Sequence, residues 1–355
     1  MAGIRAGVMG IGWPGRMHTE GLSKLRGVTV AAVAEPDEHR RSEYVAQYGP
    51  MAEYKDYRAM LRKADIDAAA VALPTSMHHR ACVDALKAGC HVICEKPPTT
   101  TAREMIEIAR LARKKKLTYM FARQPRFRPD ALVARRLVQK KKIGHVYHAE
   151  SSWIRCRDIP WGKGGWFVDK KKGGGVLLDL GVHMIDNAWF VMGCPRPVEA
   201  FAGTHVAFDD LAPPGVSYTA EDMATGMLRF ENGATLTFTV TFALNTVGPV
   251  SDGVKGHVNP QWGTVKIYGK KGGIDVWGKK LAMGRRDGVV VSDIKMPKNA
   301  PGGFDAQAKE FARAIRAGDE PMNSPAQAVM LMQMLDALKK SGETRRSVRI
   351  PKVSV

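Results

Sequence analysis

A carboxylate and an imidazole lie four residues apart at Asp179 and His183, inside the glycine-rich stretch 173–183. In a helix, residues four apart share one face and lie one turn from each other. Histidine exchanges protons near neutral pH, and an acid beside it can orient the ring or hold a hydroxyl group. The spacing therefore predicts proton transfer to or from a substrate hydroxyl, such as that of a sugar.

A second motif with chemical meaning, G-x-G-x-x-G, occupies residues 10–15 after a short apolar run. Its glycines permit a tight turn, a close approach of the backbone to a pyrophosphate, and close packing of helix on strand. The pyrophosphate of a dinucleotide would then rest at the N-terminus of the following helix. The predicted contact residues are Gly10, Ile11, Gly12, Trp13, Pro14 and Gly15.

An acidic residue, Glu35, ends the next apolar run, 20 residues beyond Gly15. At this place in a dinucleotide-binding unit, a carboxylate bonds the ribose hydroxyls of NAD and would repel the 2′-phosphate of NADP. NAD is therefore the expected cofactor. Arg40 lies near enough to keep NADP open as the less favoured alternative, and we count it among the expected cofactor contacts.

The elements that must position these residues alternate between strand and helix in the first half of the chain. Apolar runs predict strands at 6–9, 28–34, 68–73, 91–94 and 117–121. Helical spacing lies between them at 16–25, 38–48, 78–88 and 101–115. This alternation predicts βαβ units and a doubly wound parallel sheet, the Rossmann arrangement, over residues 1–123.

The pattern changes at about Gln124, and the rest of the chain is predicted to form a second α/β domain, 124–355. Strand signals occur at 145–152, 224–231, 234–243 and 264–268, helical spacing at 129–142, 310–317 and 324–340, and loops at 209–215 and 252–259. Alternation within the strands predicts an open, mostly antiparallel sheet with helices on one face.

Composition limits the other possibilities. The formal charge is +19, but the lysine runs at 114–116, 140–142 and 339–340 follow helical segments, where cations favour the helix end. No nucleic-acid motif accompanies them, so we expect no nucleic-acid partner. No run of about 18 apolar residues predicts a membrane span, and no leader is expected before the first strand. Five scattered cysteines predict neither a metal site nor a disulfide framework, which favours a cytoplasmic protein.

Four motifs in order now resemble the Gfo/Idh/MocA oxidoreductase family. They are the glycine motif continued to His18, the element Pro74 to His78, the tripeptide Glu95-Lys96-Pro97, and the glycine-rich approach to Asp179 and His183. The segment 341–346 also resembles the end of the family pattern. The resemblance therefore covers nearly the whole chain.

The resemblance implies a Rossmann domain followed by an open-sheet domain, and NAD(P)-dependent oxidation or reduction of sugars, cyclitols and related polyols. It implies a homodimer or homotetramer formed through the C-terminal sheet. Lys96, Asp179 and His183 match the family's catalytic residues, which also contact substrate, and are expected to converge beside the cofactor. Further cofactor contacts are expected at Pro74, Thr75, His78, Glu95, Lys96 and Gln124.

Substrate contacts are expected from arginines and a tryptophan ahead of the Asp179 helix. Arg126 lies in a segment that partly matches a family element, and Arg155, Arg157 and Trp166 belong to a basic, aromatic loop at 155–172. Aromatic rings stack on sugars, and arginine pairs with carboxylate or phosphate. The loop therefore either binds a sugar, including an acidic one, or is a solvated basic loop with tryptophans in the core.

Three functions fit these residues. The first is an NAD-dependent dehydrogenase or reductase of a sugar, cyclitol or sugar derivative. The second is an enzyme that retains NAD and cleaves glycosides by oxidation, elimination and re-reduction. The third is a non-catalytic NAD or sugar sensor, which the presence of Lys96, Asp179 and His183 disfavours. Whether Lys96 or His183 moves the proton is left open by the sequence.

Overall fold

The structure is a computed structural model that describes residues 3–161, 163–246 and 259–355, without the side chains of 163 and 164. Apart from Asn259, the predicted loop 252–259 lies outside these residues. The α-helices are α1 (Trp13–Ser23), α2 (Glu38–Tyr48), α3 (Tyr57–Lys63), α4 (Thr75–Lys87), α5 (Ala102–Lys115), α6 (Pro129–Gln139), α7 (Val182–Val191), α8 (Gly303–Ala317) and α9 (Pro325–Thr344).

The strands of the described residues fall into two sheets. They are β1 (Ile4–Met9), β2 (Val28–Ala34), β3 (Ala52–Tyr54), β4 (Ala68–Val71), β5 (His91–Cys94), β6 (Tyr119–Phe121), β7 (Val146–Arg155), β8 (Pro197–His205), β9 (Met223–Phe230), β10 (Thr235–Thr241), β11 (Gln261–Gly269), β12 (Gly272–Asp275), β13 (Lys280–Arg285), β14 (Gly288–Asp293) and β15 (Val348–Arg349).

The first sheet has the strand order β3-β2-β1-β4-β5-β6, and every pair in it is parallel. Its central strands are short, apolar and buried on both faces, as a sheet covered by helices on each side requires. This is the doubly wound order of a dinucleotide-binding fold, and the predicted Rossmann sheet is confirmed.

Backbone hydrogen bonds align the segments that leave the strands of this sheet. The Gly10 amide donates to Ala34 O of β2, the Ala72 amide to Met9 O of β1, and the Glu95 amide to Val71 O of β4, at 2.9 Å each. The turns after β1, β4 and β5 therefore begin at one level along the same edge. Ligands of open α/β sheets bind at this carboxyl edge.

Helix α8 belongs to the same unit as the parallel sheet. Ala308, Phe311 and Ala312 of α8 are buried in one apolar cluster with Leu22 of α1 and with side chains of β1, β4 and β5. The first unit thus comprises residues up to 127 together with 301–332 and 354–355, and the second comprises 128–300 and 333–353. The structure differs here from a simple division at residue 124, because α8 buries its apolar face on the first sheet.

The second sheet has the strand order β14-β13-β12-β11-β7-β10-β9-β8-β15. Its pairs are antiparallel except for β7 with β10, so the predicted open and mostly antiparallel sheet is confirmed. Helix α7 packs on β7, β10 and β11. Phe201 of β8 and Met227 of β9 lie directly opposite each other and are exposed by 49% and 42%.

Among the described residues, no helix combines the length and the apolar character that a membrane span requires.

Candidate active site

The glycine motif forms a turn in which two of its three glycines are sterically required. Gly10 has φ of +85°, and a Cβ there would lie 2.5 Å from Ala72 O. A Cβ on Gly15 would lie 2.0 Å from Gly10 O, so the start of α1 packs directly on the turn. At Gly12 a Cβ would meet only Pro14, at 3.8 Å. Gly12 therefore leaves room beside the backbone, as a pyrophosphate contact needs.

The N-terminus of α1 has no side-chain cap. Gly12 is the N-cap residue, Trp13 and Pro14 follow, and no side chain accepts a hydrogen bond from the first amides. An anion can use these amides, which the helix dipole makes favourable. Trp13 is 63% exposed and its ring lies 5.3 Å from that of Phe304, whereas Ile11 is buried beside Val33. This arrangement fits a dinucleotide.

The carboxylate predicted to bind ribose lies just beyond β2. Glu35 is mostly buried, its amide donates to Tyr54 O, and its Oε1 accepts a hydrogen bond from Arg40 at 3.2 Å. Arg41 donates to the Glu35 backbone carbonyl at 2.7 Å. The structure thus brings Glu35 and Arg40 together, so one carboxylate and one guanidinium are available at the same place.

Glu95 and Lys96 follow β5 at the carboxyl edge of the parallel sheet. Glu95 is buried and its Oε1 lies 2.9 Å from Nε2 of His18, while its Oε2 accepts the Lys96 amide at 3.1 Å. Burial opposes the charge of Glu95, but these hydrogen bonds, led by that of His18, lower its pKa below the usual value. Glu95 therefore fixes α1 to the backbone of Lys96, whose side chain is half-buried.

Pro74, Thr75 and His78 lie at the start of α4, on the turn after β4. Pro74 is the N-cap residue, and Thr75 is buried in the first turn. His78 is also buried, and both of its ring nitrogens contact backbone carbonyl oxygens, those of Leu73 and Pro97. The ring is therefore engaged by the two turns that flank it.

Gln124 and Arg126 lie in a 3-10 helix after β6. Gln124 is half-buried and its Oε1 has no hydrogen-bond partner among the described residues. Arg126 is fully buried, stacks on Phe121 at 4.9 Å, and donates to Gln327 of α9. This burial gives Arg126 a packing function in the first unit, because its charged group is satisfied there.

In the second unit, Asp179 lies on a π-helical turn, Leu177–Gly181, that continues into α7. The Val182 amide bonds to Leu177 O, five residues back, which widens the helix at this point. Such π-helical turns are rare in proteins overall, and those that occur are often found at functional sites. His183 lies in the first turn of α7, half-buried like Asp179. The predicted helix and the consecutive turns are thus present, with a wider turn at Asp179 than an α-helix has.

Gly175, which lies just before this turn, packs against Glu221. Gly175 has φ of +121°, and a Cβ there would lie 2.3 Å from Oε1 of Glu221. The same oxygen accepts the Leu177 amide at 3.2 Å, and Glu221 O accepts the Val176 amide at 2.9 Å. Burial raises the pKa of Glu221, and the nearby Lys339 opposes that rise. Glu221 therefore holds the first amides of the helix that carries Asp179, a function that no pattern in the sequence indicated.

An aromatic surface lies beside His183. The ring of Trp153 on β7 is 6.1 Å from the ring of His183 and 6.4 Å from that of Trp277. The guanidinium of Arg155 lies over Trp153 at 5.0 Å, and its Nε has no hydrogen-bond partner among the described residues. The structure thus brings the predicted Arg155 close to His183 through Trp153. The predicted strand ended at Ser152 and so left out Trp153, while Trp277 lies outside every predicted strand.

The other two predicted substrate residues of this unit lie in different surroundings. Arg157 is exposed, stacks on Phe208 at 4.9 Å and donates to Asn245. Trp166 is half-buried and stacks on Phe167, with ring centroids 3.6 Å apart. Neither contact joins them to the surface beside His183. Within the described ranges, no group of three or more acidic, histidine or cysteine side chains could hold a metal ion.

Comparison with protein families matches both parts of the chain. Residues 4–123 match the model "Oxidoreductase family, NAD-binding Rossmann fold". Residues 131–275 match the model "GFO/IDH/MocA C-terminal domain". Together the two models cover most of the sequence, and the first identifies an NAD-binding Rossmann domain.

Individual relatives are sugar and cyclitol dehydrogenases. The chain is 32% identical to D-glucoside 3-dehydrogenase of Escherichia coli (strain K12), over 68% of this chain and 71% of that protein. It is 25% identical to myo-inositol 2-dehydrogenase of Thermotoga maritima, over 99% of each chain. The solved structure of a levoglucosan dehydrogenase in complex with NADH matches this chain with a TM-score of 0.85 at 20% identity. The match covers 99% of this chain and 100% of that one.

Replacement of Gly175 by alanine tests the contact with Glu221. Gly193 also has positive φ (+98°) but has nothing within 4 Å of a Cβ, so Gly193→Ala is a matched control for backbone strain alone. We expect Gly193→Ala to cost about 1–2 kcal/mol of unfolding free energy. Gly175→Ala should cost about 3 kcal/mol or more, because it adds a steric clash. Urea unfolding of both variants measures the difference, and equal losses would contradict the contact.

Proposed function

This chain belongs to the Gfo/Idh/MocA oxidoreductase family, and we propose that it transfers a hydride between NAD(H) and a hydroxyl- or keto-bearing carbon of a sugar, cyclitol or sugar derivative. The observation that carries the proposal is the position of Asp179 and His183 on consecutive turns of one helix, beside the ring of Trp153. The named sugar and cyclitol dehydrogenases among the relatives support the substrate class.

In the oxidative direction, the substrate carbinol loses a hydride from carbon and a proton from oxygen, which leaves a carbonyl. NAD supplies the hydride acceptor when it is bound. We propose that His183 accepts the proton of the substrate hydroxyl, because an imidazole can take up a proton near neutral pH. Asp179 orients the substrate hydroxyl or the imidazole, and the ammonium of Lys96 stabilises the negative charge that develops on oxygen. In the reductive direction the same groups return the proton.

The cofactor side of the proposal uses the first unit. The amides at the start of α1 bind the pyrophosphate, Glu35 binds the adenosine ribose, and Pro74, Thr75 and Gln124 line the carboxyl edge. Glu95 and His78 hold the turns there. The carboxylate of Glu35 favours NAD, whereas Arg40 beside it would favour the 2′-phosphate of NADP. We assign NAD, because the carboxylate is the more buried of the two groups.

The substrate side uses the aromatic surface beside His183. A sugar ring can stack on exposed parts of Trp153 or Trp277, and Arg155 lies over Trp153 with an ion pair to Asp158 at 3.3 Å. The guanidinium has further N–H donors besides the one that Asp158 engages, which supports an acidic sugar or sugar derivative as substrate. Arg157 and Trp166 are not part of this aromatic surface, so their contact with substrate stays a prediction from the sequence.

The proposed interface between copies of the chain lies on the face of the second sheet that carries Phe201 and Met227. Phe201 and Met227 form an exposed cross-strand pair, and large exposed apolar groups side by side favour a protein contact. We propose that two copies pair through this face, and that tetramers form from such pairs.

Activity assays with the purified protein test the reaction. We expect NADH absorbance to grow with at least one member of a panel of polyols, sugars and sugar acids, with a lower KM for NAD than for NADP. Lys96→Met, Asp179→Asn and His183→Asn should each lower kcat by about 100-fold or more, because each removes a group that acts on the reacting oxygen. The exposed His145→Asn is the control and should change kcat little.

A double variant shows whether Lys96 and His183 act together. The double variant Lys96→Met/His183→Asn should be about as slow as the slower single variant, since groups of one catalytic unit are not additive. Glycoside cleavage without NADH growth would instead favour the redox-neutral enzyme. Tight NAD binding with neither activity would favour a sensor.

The choice between acidic and neutral sugars depends on Arg155. Arg155→Ala should raise KM for acidic substrates by about tenfold and leave KM for neutral sugars nearly unchanged, because a charge-assisted hydrogen bond is lost only with the acid. Arg285→Ala, which removes an exposed arginine at the end of β13, is the control and should leave both KM values unchanged. Identical KM values for acidic sugars in wild type and Arg155→Ala would exclude the charge as a determinant of specificity.

Sedimentation measures the association of copies. The wild type should sediment as a dimer or tetramer, and Phe201→Glu should reduce the mass, because burial of an unpaired charge opposes the contact. Val290→Glu, on the exposed edge strand β14, is the control and should keep the wild-type mass. A monomeric wild type would end this part of the proposal.

A further inference from the structure

Both ring nitrogens of His78 lie within hydrogen-bonding distance of backbone carbonyl oxygens. Nδ1 is 2.8 Å from Pro97 O, and Nε2 is 2.6 Å from Leu73 O. The residue is only 1% exposed, so bulk water cannot replace either contact. A carbonyl oxygen accepts hydrogen bonds and donates none, whereas a neutral imidazole has a single N–H. In the neutral form, one of the two contacts would place a nitrogen lone pair against an oxygen lone pair.

We propose that His78 is held as a buried imidazolium that ties the turn after β4 to the turn after β5, and that it is a positioning residue for Lys96. Pro97 O, which accepts one N–H, belongs to the residue next to Lys96. Leu73 O, which accepts the other, directly precedes Pro74 and Thr75 at the start of α4. The positioning of Lys96 matters for turnover only if Lys96 is catalytic, so that part rests on the proposed function.

The groups around His78 determine whether its buried ring stays protonated. Burial and the N-terminus of α4 oppose the charge. The two carbonyl oxygens favour it and, with the neighbouring Cys94 sulfur, raise the pKa of His78 above its usual value. Burial raises the pKa of the Cys94 thiol itself well above its usual value, so this thiol stays neutral. The carbonyl oxygens are therefore the groups that stabilise the cation near neutral pH.

Among the described residues, both hydrogen-bonding partners of the His78 ring are carbonyl oxygens, and the nearby carboxylates have other partners, since Glu95 bonds to His18. Cys82 of α4 lies against Cys94, and burial raises the pKa of Tyr119 of β6, which also approaches Cys94. Glu107 of α5 bonds to the neighbouring His79 at 3.0 Å. The cation is thus solvated by backbone dipoles, which makes it sensitive to loss of either carbonyl contact.

Nitrogen NMR of histidine-labelled wild-type protein tests the charge directly. We expect both ring nitrogens of His78 to be protonated at pH 7, because each lies against a carbonyl oxygen that can only accept a hydrogen bond. His78→Asn and His78→Gln assign the signals, and backbone-directed assignment of the wild type replaces them if neither variant folds. A single protonated nitrogen at pH 7 would overturn the proposal. The readout needs no turnover, so an inactive protein with a charged His78 would contradict the proposed function alone.

Two amide variants separate the two tethers. The Asn amide nitrogen can replace Nδ1 and keep the bond to Pro97 O, whereas the Gln amide nitrogen can replace Nε2 and keep the bond to Leu73 O. His78→Gln should therefore lower kcat by about tenfold with little change in KM for NAD, because Lys96 loses its tether. His78→Asn should raise KM for NAD more than it lowers kcat. Equal effects of the two variants would overturn the positioning of Lys96.

The pH dependence of the melting temperature tests the charge of His78 independently of NMR and of activity. Because the folded pKa of His78 is raised, the stabilisation is complete below about pH 6.5 and is lost as the pH rises through the folded pKa above that value. The difference in melting temperature between wild type and His78→Asn should shrink over this interval. Met77→Ala, one residue before His78 on α4, removes an exposed side chain without a titratable group, so it is the matched control and should show no such interval. A difference that is constant with pH would contradict the buried charge.

Discussion

The parallel pairing of β1, β4 and β5 is the constraint on which the chemistry of the first unit depends. It places the turns that follow these strands at one level, and backbone hydrogen bonds between Gly10, Ala72 and Glu95 and the neighbouring strands fix that level. Side chains then join the turns to each other. Glu95 connects α1 to the Lys96 backbone, and His78 connects the turns after β4 and β5.

A steric constraint has the corresponding place in the second unit. The helix that carries Asp179 and His183 begins with a π-helical turn, and its first amides bond to Glu221. Gly175 permits this contact, because any larger residue would occupy the position of the carboxylate. In both units, a carboxylate that accepts backbone amides thus lies next to the predicted catalytic groups.

Much of the fold could be predicted because its elements carry local signals. The strands β2 and β5 and the helix α2 have the bounds that the sequence predicted, since each is a short apolar run or an amphipathic segment between turn residues. The strands β13 and β14 were missed, because β14 is exposed along its whole length and gives no alternation of buried and exposed residues. The place of α8 could not be predicted from spacing, since its partners lie almost the whole chain away.

In the candidate site too, the features that depend on sequence neighbours could be predicted, and those that depend on distant residues could not. The glycine motif and the Asp179–His183 spacing depend on neighbours in sequence, and both lie where the motifs predict. The burial of Arg126 depends on Gln327, 201 residues away, and no local pattern reports such a partner. Trp153 could have been found by extending the alternation of β7 to Arg155, whereas the position of Trp277 follows from sheet order alone.

The most direct measurement of the central claim follows a hydrogen atom rather than a rate. A sugar or polyol substrate found in the activity panel is deuterated at its reacting carbon and incubated with the protein and NAD, and the mass of the coenzyme is then measured. We expect the wild type to yield reduced coenzyme that carries one deuterium, and Asp179→Asn and His183→Asn to lose this labelling. Oxidised product with unlabelled coenzyme, or undiminished labelling in those variants, would contradict it.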